Sequence, residues 1–95
     1  MRADTSRRTR RAETVAAARR RDGNRCQAIT RPTGTRCFGE LQPHEIIPRS
    51  QWRDGIFDLE NVVMLCAGHH RWAHEHPAAA HNAGLRRWSW ERNDE

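Results

Sequence analysis

The sequence predicts a small α+β fold held together by metal, and three observations carry that expectation. The chain has 95 residues and a hydrophobic fraction of 36%, which makes for a thin core, and domains of this size commonly rely on a metal or on disulfides. Its three cysteines are an odd number, so a four-ligand metal set needs a histidine as well. The stretch CAGHHRWAHEHP, residues 66–77, supplies one cysteine and four histidines, a density that points to metal ligation.

Residues 1–24 read as a basic arm and helix, and 25–95 as a single folded unit. Residues 1–25 hold nine arginines against three acids, a segment charge of 9 − 3 = +6 in a chain of net +5, so the remainder is close to neutral. RRAETVAAARRR is rich in helix formers and Asp22-Gly23 is a stop signal. A frayed arm over residues 1–8 and a helix ending near Arg21 are expected. All 17 basic residues are arginine. That composition suits bidentate phosphate contacts and equally fits a GC-rich coding sequence.

Cys26 and Cys37 bracket a loop with Pro32 and Gly34 as turn signals. ELQPHEIIP then reads as a short strand halted by Pro48, and RSQWRDGIFDLEN as a connecting loop. VVMLC is β-branched and apolar, the second strand of an antiparallel pair. Gly68 breaks it, HHRWAHEH forms a short helix ended by Pro77, and PAAAHNAG adds a turn or two stopped by Gly84. In LRRWSW, Trp88 and Trp90 share one face, as in a short strand or an extended lid over the core. Packing over that core is the expected role of Trp72, Trp88 and Trp90, while Trp52 is a candidate for stacking on bases and His76 and His81 read as surface residues.

No apolar run is long enough to span a membrane, and no apolar stretch follows the basic start as in a secretory leader. A cytoplasmic, reducing setting is expected, where cysteines serve as metal ligands rather than disulfides. Cys26, Cys37, Cys66 and His69 form a Cys3His set for a structural zinc. Cys66-x2-His69 has the tight spacing that lets two ligands share a tetrahedral ion. Cys26 and Cys37, with ten residues between them, are wider than the usual pair and read alternatively as buried free thiols. His70 and His74, four apart on one helix face, can share a second ion.

Upstream, PHEIIPRS supplies His44 and DLENVVMLC supplies Asn61. From about Arg25 to Trp90, the ordered motifs RCQA…C, HEIIPRS, LENVVMLC, H-x3-H-x-HP and AGLRRWSW resemble the HNH endonucleases, most closely the small HNH proteins of actinobacterial phages. The resemblance implies a ββα-metal motif, a hairpin followed by a helix that grips one divalent ion. It implies His44, His70 and His74 as ligands of a catalytic metal, Glu45 at the general-base position, and Asn61 as the middle residue that steadies the loop. It also implies 5′-phosphate and 3′-hydroxyl products, and a host-cell cytoplasmic setting in DNA packaging beside a phage terminase.

The chain departs from that family at Glu45, where most members carry histidine, so three roles stay open. Glu45 is the base; or Glu45 joins the metal and His44 is the base; or the protein is a catalytically inactive, zinc-stapled DNA-binding module. Histidine-dominated ligation accepts zinc, nickel, cobalt or manganese, and a glutamate ligand would favour magnesium or manganese. For double-stranded DNA, the expected phosphate contacts are Arg49 and Arg53 near the hairpin, Arg19, Arg20 and Arg21, and Arg7, Arg8, Arg10 and Arg11. Such contacts position a duplex without reading its sequence, so low cleavage specificity is expected. A zinc-dependent protein-interaction domain of the RING or ribbon kind fits poorly, since those need regular ligand pairs.

Overall fold

The computed structural model describes residues 2–30 and 33–92. Pro32, the first residue of the arm and residues 93–95 of the folded unit lie outside the described residues. The first element is a single helix, α1 (Arg2–Arg21), so helix occupies the segment expected to be a frayed arm. It ends where Gly23 and Asn24 take positive φ values of 67° and 59°, the left-handed stop that Asp22-Gly23 announces.

Two strands follow, β1 (Leu41–Glu45) and β2 (Val62–Cys66), paired antiparallel with His44 opposite Val63 and Glu45 opposite Val62. Pro43 sits opposite Met64; a two-stranded sheet tolerates it because each strand has an edge where no N–H is needed. Between the strands, Arg53–Phe57 and Leu59–Asn61 form 3-10 turns. β2 runs directly into α2 (Ala67–Glu75), with Cys66 as its N-cap and Pro77 starting α3 (Pro77–Asn82). LRRWSW forms no strand. Its end is a 3-10 turn over Ser89–Glu91, and one backbone bond, Arg87 N–H to the Ile46 carbonyl at 3.0 Å, ties it to the hairpin as an extended strap.

The core lies on both faces of β2. On one side Ala18 of α1 is fully buried against Val62 and Met64. On the other, Leu65, Ala73, Ala80 and Leu85 pack with Cys26 and Cys66. Helix α1 is also stitched to the sheet by polar bonds. Asp22 Oδ2 accepts from the Met64 N–H at 2.9 Å, and the Arg21 guanidinium donates to the Leu59 and Val62 carbonyls at 2.8 and 2.6 Å. Trp72 packs against the core, but Trp90 is 78% exposed, so the expected burial fails for that ring. It stacks instead on Trp88, which stacks on His81, at centroid distances of 5.9 and 5.5 Å. Among the described residues no helix is long and apolar enough to cross a membrane.

Candidate functional site

Two clusters of metal-ligand side chains meet at the start of α2. In the first, the four expected residues Cys26, Cys37, Cys66 and His69 converge, their ligand atoms all within 4.8 Å of one another. The His69 Nδ1 lies 3.6, 3.5 and 3.2 Å from the sulfurs of Cys26, Cys37 and Cys66. Tetrahedral zinc bonds of about 2.3 Å to sulfur and about 2.05 Å to nitrogen place those atoms about 3.6 Å apart, so the cluster fits a zinc ion.

The far side of the His69 ring supports the same assignment. Its Nε2 lies 2.9 Å from the Thr35 carbonyl and 3.0 Å from the Thr33 hydroxyl. Donation from Nε2–H to that carbonyl leaves the Nδ1 lone pair aimed at the sulfurs, the usual way a ligand histidine is oriented. The loop reaches the cluster because Gly39, at φ 84°, passes over α2; a Cβ there would come within 2.7 Å of Ala67 Cβ. Burial raises the Cys66 thiol, yet the His69 and Phe38 backbone N–H groups and the His69 ring outweigh it and bring it down to about 7. At Cys37 the thiol is pushed up to about 12, first by desolvation of the sulfur and then by Cys26 and Cys66. Three sulfurs this close do not all ionise by themselves, and a divalent cation offsets their repulsion.

The second cluster is His44, His70 and His74, again with ligand atoms within 4.8 Å of one another. His70 and His74 bring their Nε2 atoms to 3.2 Å. One ion bonded to two imidazoles at about 2.1 Å holds the nitrogens about 3.0–3.4 Å apart. His70 is oriented by Gln42, whose Oε1 lies 2.7 Å from its Nδ1. His44 is 3% exposed and reaches the pair from the buried side, its ring centroid 5.4 and 5.9 Å from theirs. Its Nε2 lies 2.6 Å from the Leu85 carbonyl, and its Nδ1 is buried with no hydrogen-bond partner among the described residues. Such an orphaned lone pair is what an ion would satisfy. Burial pushes the His44 imidazole down to about 4, against the Leu85 carbonyl and reinforced by His70 and His74. His70 is lowered as well, by burial and then by His74. Both therefore stay neutral at ordinary pH, as a ligand must.

His70 and His74 open onto a groove of about 770 Å³ lined also by Arg11, Gln42, Glu45, Arg49 and Arg86. Glu45 does not belong to the histidine cluster. Its carboxylate lies against Arg11 at 2.6 Å and Arg49 at 3.2 Å. Asn61, 5% exposed, accepts from the Ile47 N–H at 2.8 Å and donates to the Ile47 and Gly55 carbonyls at 3.1 and 3.2 Å; it pins the chain just beyond β1.

Of the expected phosphate-contact arginines, Arg49 and Arg11 line the groove. Arg21 is engaged with Asp22 and the two carbonyls described above, Arg19 bonds Asn24, Arg20 and Arg53 are exposed away from the groove lining, and Arg10 and Arg7 lie over the Phe57 ring. Sequence reasoning missed Gln42 and Arg86. Gln42 had a signal, since it precedes His44 by two residues and so shares its strand face. The Leu85 and Thr35 carbonyls had none, because every residue carries one. Compared with protein-family models, curated proteins and solved structures, the chain matches none.

Proposed function

We propose that the protein is a metal-dependent DNA endonuclease of the HNH kind, hydrolysing phosphodiester bonds with little sequence preference. The observation that carries the reading is the second cluster. A zinc-stapled binding module needs one metal set, yet His44, His70 and His74 converge separately, with His70 and His74 on an arginine-lined groove. The order of motifs that resembles the HNH family supports it independently.

In this reading His44, His70 and His74 hold a manganese, magnesium, nickel, cobalt or zinc ion. When bound, it would supply Lewis-acid stabilisation of the charge that develops on the phosphate and on the departing 3′ oxygen. The chain's own residues do the rest. Leu85 and Gln42 keep the two ligand rings in the tautomer that offers a lone pair. Asn61 fixes the backbone beyond Glu45. The Glu45 carboxylate takes the proton of a water whose oxygen bonds to phosphorus as the bond to the 3′ oxygen breaks. Arg49 holds the phosphate. A role in DNA packaging beside a terminase rests on the phage resemblance alone.

A second reading, a catalytically silent DNA-binding module, has one observation in its favour: Glu45 stands in double ion pairing where a histidine base is usual. Plasmid nicking separates the two. Zinc-stapled protein cleared of excess metal is supplied in turn with manganese, magnesium, nickel and cobalt, with His74→Ala and Glu45→Gln alongside. Metal-dependent nicking that disappears in His74→Ala supports the enzyme, and its loss in Glu45→Gln supports the base. DNA binding without nicking under any metal leaves the module.

A further inference from the structure

We infer that Arg11 and Arg49 form a phosphodiester-binding pair which Glu45 holds ready and which the substrate takes over on binding. The inference rests on the nuclease reading of the groove and names its substrate contact. The Glu45 side chain, 13% exposed, is the anion the two guanidinium groups share: Arg11 Nη2 at 2.6 Å, Arg49 Nη2 at 3.2 Å to the same oxygen, and Arg49 Nε at 3.3 Å to the other. Arg11 is fixed from behind, its Nη1 donating to the Ile56 carbonyl at 2.6 Å, so a guanidinium that lines the groove is already ordered.

Charge and shape both favour exchange. The groove lining holds three arginines, Arg11, Arg49 and Arg86, against one glutamate; leaving the histidines aside, that is 3 − 1 = +2, so the carboxylate does not neutralise its surroundings. The Arg86 Nε is buried with no hydrogen-bond partner among the described residues, a donor left over beside the groove. A phosphodiester offers two anionic oxygens, which guanidinium groups accept in the same bidentate manner as a carboxylate. Moving Arg11 and Arg49 from Glu45 to the substrate costs little geometry. It also relieves Glu45 of three charge-assisted bonds from the two guanidinium groups, so the carboxylate is uncovered when a phosphate is in place. Helix α1 thereby belongs to the site, and its contribution reaches Glu45 across 34 positions of sequence.

The test is binding of a short DNA duplex to zinc-loaded protein with no second metal added, read by fluorescence anisotropy, so that cleavage plays no part. Glu45→Gln removes the competitor and is expected to tighten binding about tenfold, the scale of one charge-assisted bond. Glu75→Gln removes the same charge outside the groove and is expected to tighten it far less. Arg11→Gln, and separately Arg49→Gln at an exposed position that the fold does not need, should weaken binding and cancel most of the gain when combined with Glu45→Gln. Inorganic phosphate serves as competitor: displacing the duplex only at high concentration is expected for a site built for a chain of phosphodiesters. Equal gains from Glu45→Gln and Glu75→Gln, or a gain from Glu45→Gln untouched by Arg11→Gln and Arg49→Gln, would overturn the inference. The nicking assay fails or succeeds apart from this, since affinity is measured without the metal that nicking requires.

Discussion

His69 and His70 are neighbours in sequence and belong to opposite kinds of site. His69 is 2% exposed and completes a set with three cysteines from three places in the chain. His70 is half-buried and faces, with the exposed His74, an open groove. Successive residues of a helix point about 100° apart, so one turn of α2 serves two centres. The first has four protein donors and would leave a tetrahedral ion no free position; the second has three, so an ion there would keep an open position. Both use the same device for orientation, an imidazole N–H turned towards an oxygen of the protein. A closed set of this kind contributes to folding, whereas under the proposed nuclease reading the open one contributes to chemistry, and variants should separate the two.

The largest effect is expected at the closed set. Cys66→Ser removes a buried sulfur of the Cys3His set that also caps α2 by accepting the His69 N–H at 3.3 Å. Structural zinc in small domains contributes on the order of 10 kcal/mol to folding, more than a domain of this size has to spare. Circular dichroism and zinc content should show an unfolded, zinc-free chain, and chelation of wild type should do the same. A folded Cys66→Ser protein would remove the basis for calling the set structural.

Next in size is Asn61→Ala. It strands the Ile47 N–H and two carbonyls around a residue, Ile47, that is 1% exposed, and buried groups left unpaired cost a few kcal/mol together, about 4. Denaturant unfolding should show that loss while zinc content stays at wild-type level, because the bonds lost lie behind the open site and not around the sulfurs.

What could be read from the chain follows the same division. The closed set was legible because cysteines are scarce and their chemistry is narrow: Cys66-x2-His69 fixes one half, and the odd cysteine count asks for the histidine. The strand pair was legible from VVMLC, and α2 from its Pro77 stop. The open site was legible only in its histidines. What orients them is a glutamine side chain and a backbone carbonyl delivered by Leu85, which no residue type announces. The use of Arg11 and Arg21 was illegible for another reason. Nine arginines in 25 residues look alike, and it is the docking of α1, with Ala18 against Val62 and Met64, that separates Arg11 at the groove from Arg21 engaged by the fold. Trp90 was misread because a face-sharing pattern signals burial only when something lies opposite that face.

A smaller effect should appear with pH. An unfolded histidine titrates near 6.5, and His44 in the fold is lowered to about 4 by burial. As pH falls from about 6.5 to about 4, the unfolded chain takes up a proton that the folded chain refuses. Stability is therefore lost across that window and is unaffected above it. The full effect is on the order of 3 kcal/mol. It should be measured as the difference between wild type and His44→Gln in zinc-saturated protein, so that acid loss of zinc is common to both. A second metal at the open site should enlarge the difference, since it binds only the neutral imidazole. Parallel stability curves would mean that the His44 Nδ1 has a partner in solution.

The smallest effect on the fold is expected from His74→Ala, and this variant presses hardest on the comparison. His74 is exposed on α2, and its ring meets those of His70 and His44. Truncation removes little buried surface from this exposed position, and alanine favours helix over histidine by at most about 0.7 kcal/mol. The melting temperature and zinc content should therefore stay where they are. Metal-dependent nicking should nevertheless fall more than about a hundredfold, since even residues that merely orient metal ligands contribute factors of ten to a hundred. Stability unchanged and activity lost is the signature of a centre built for reaction on a frame held by another. Should His74→Ala instead release zinc or lower the melting temperature by several degrees, the clusters would be one cooperative metal unit. The division at His69 and His70 would then describe side-chain direction only, and the open site would have to be counted among the things that fold the chain.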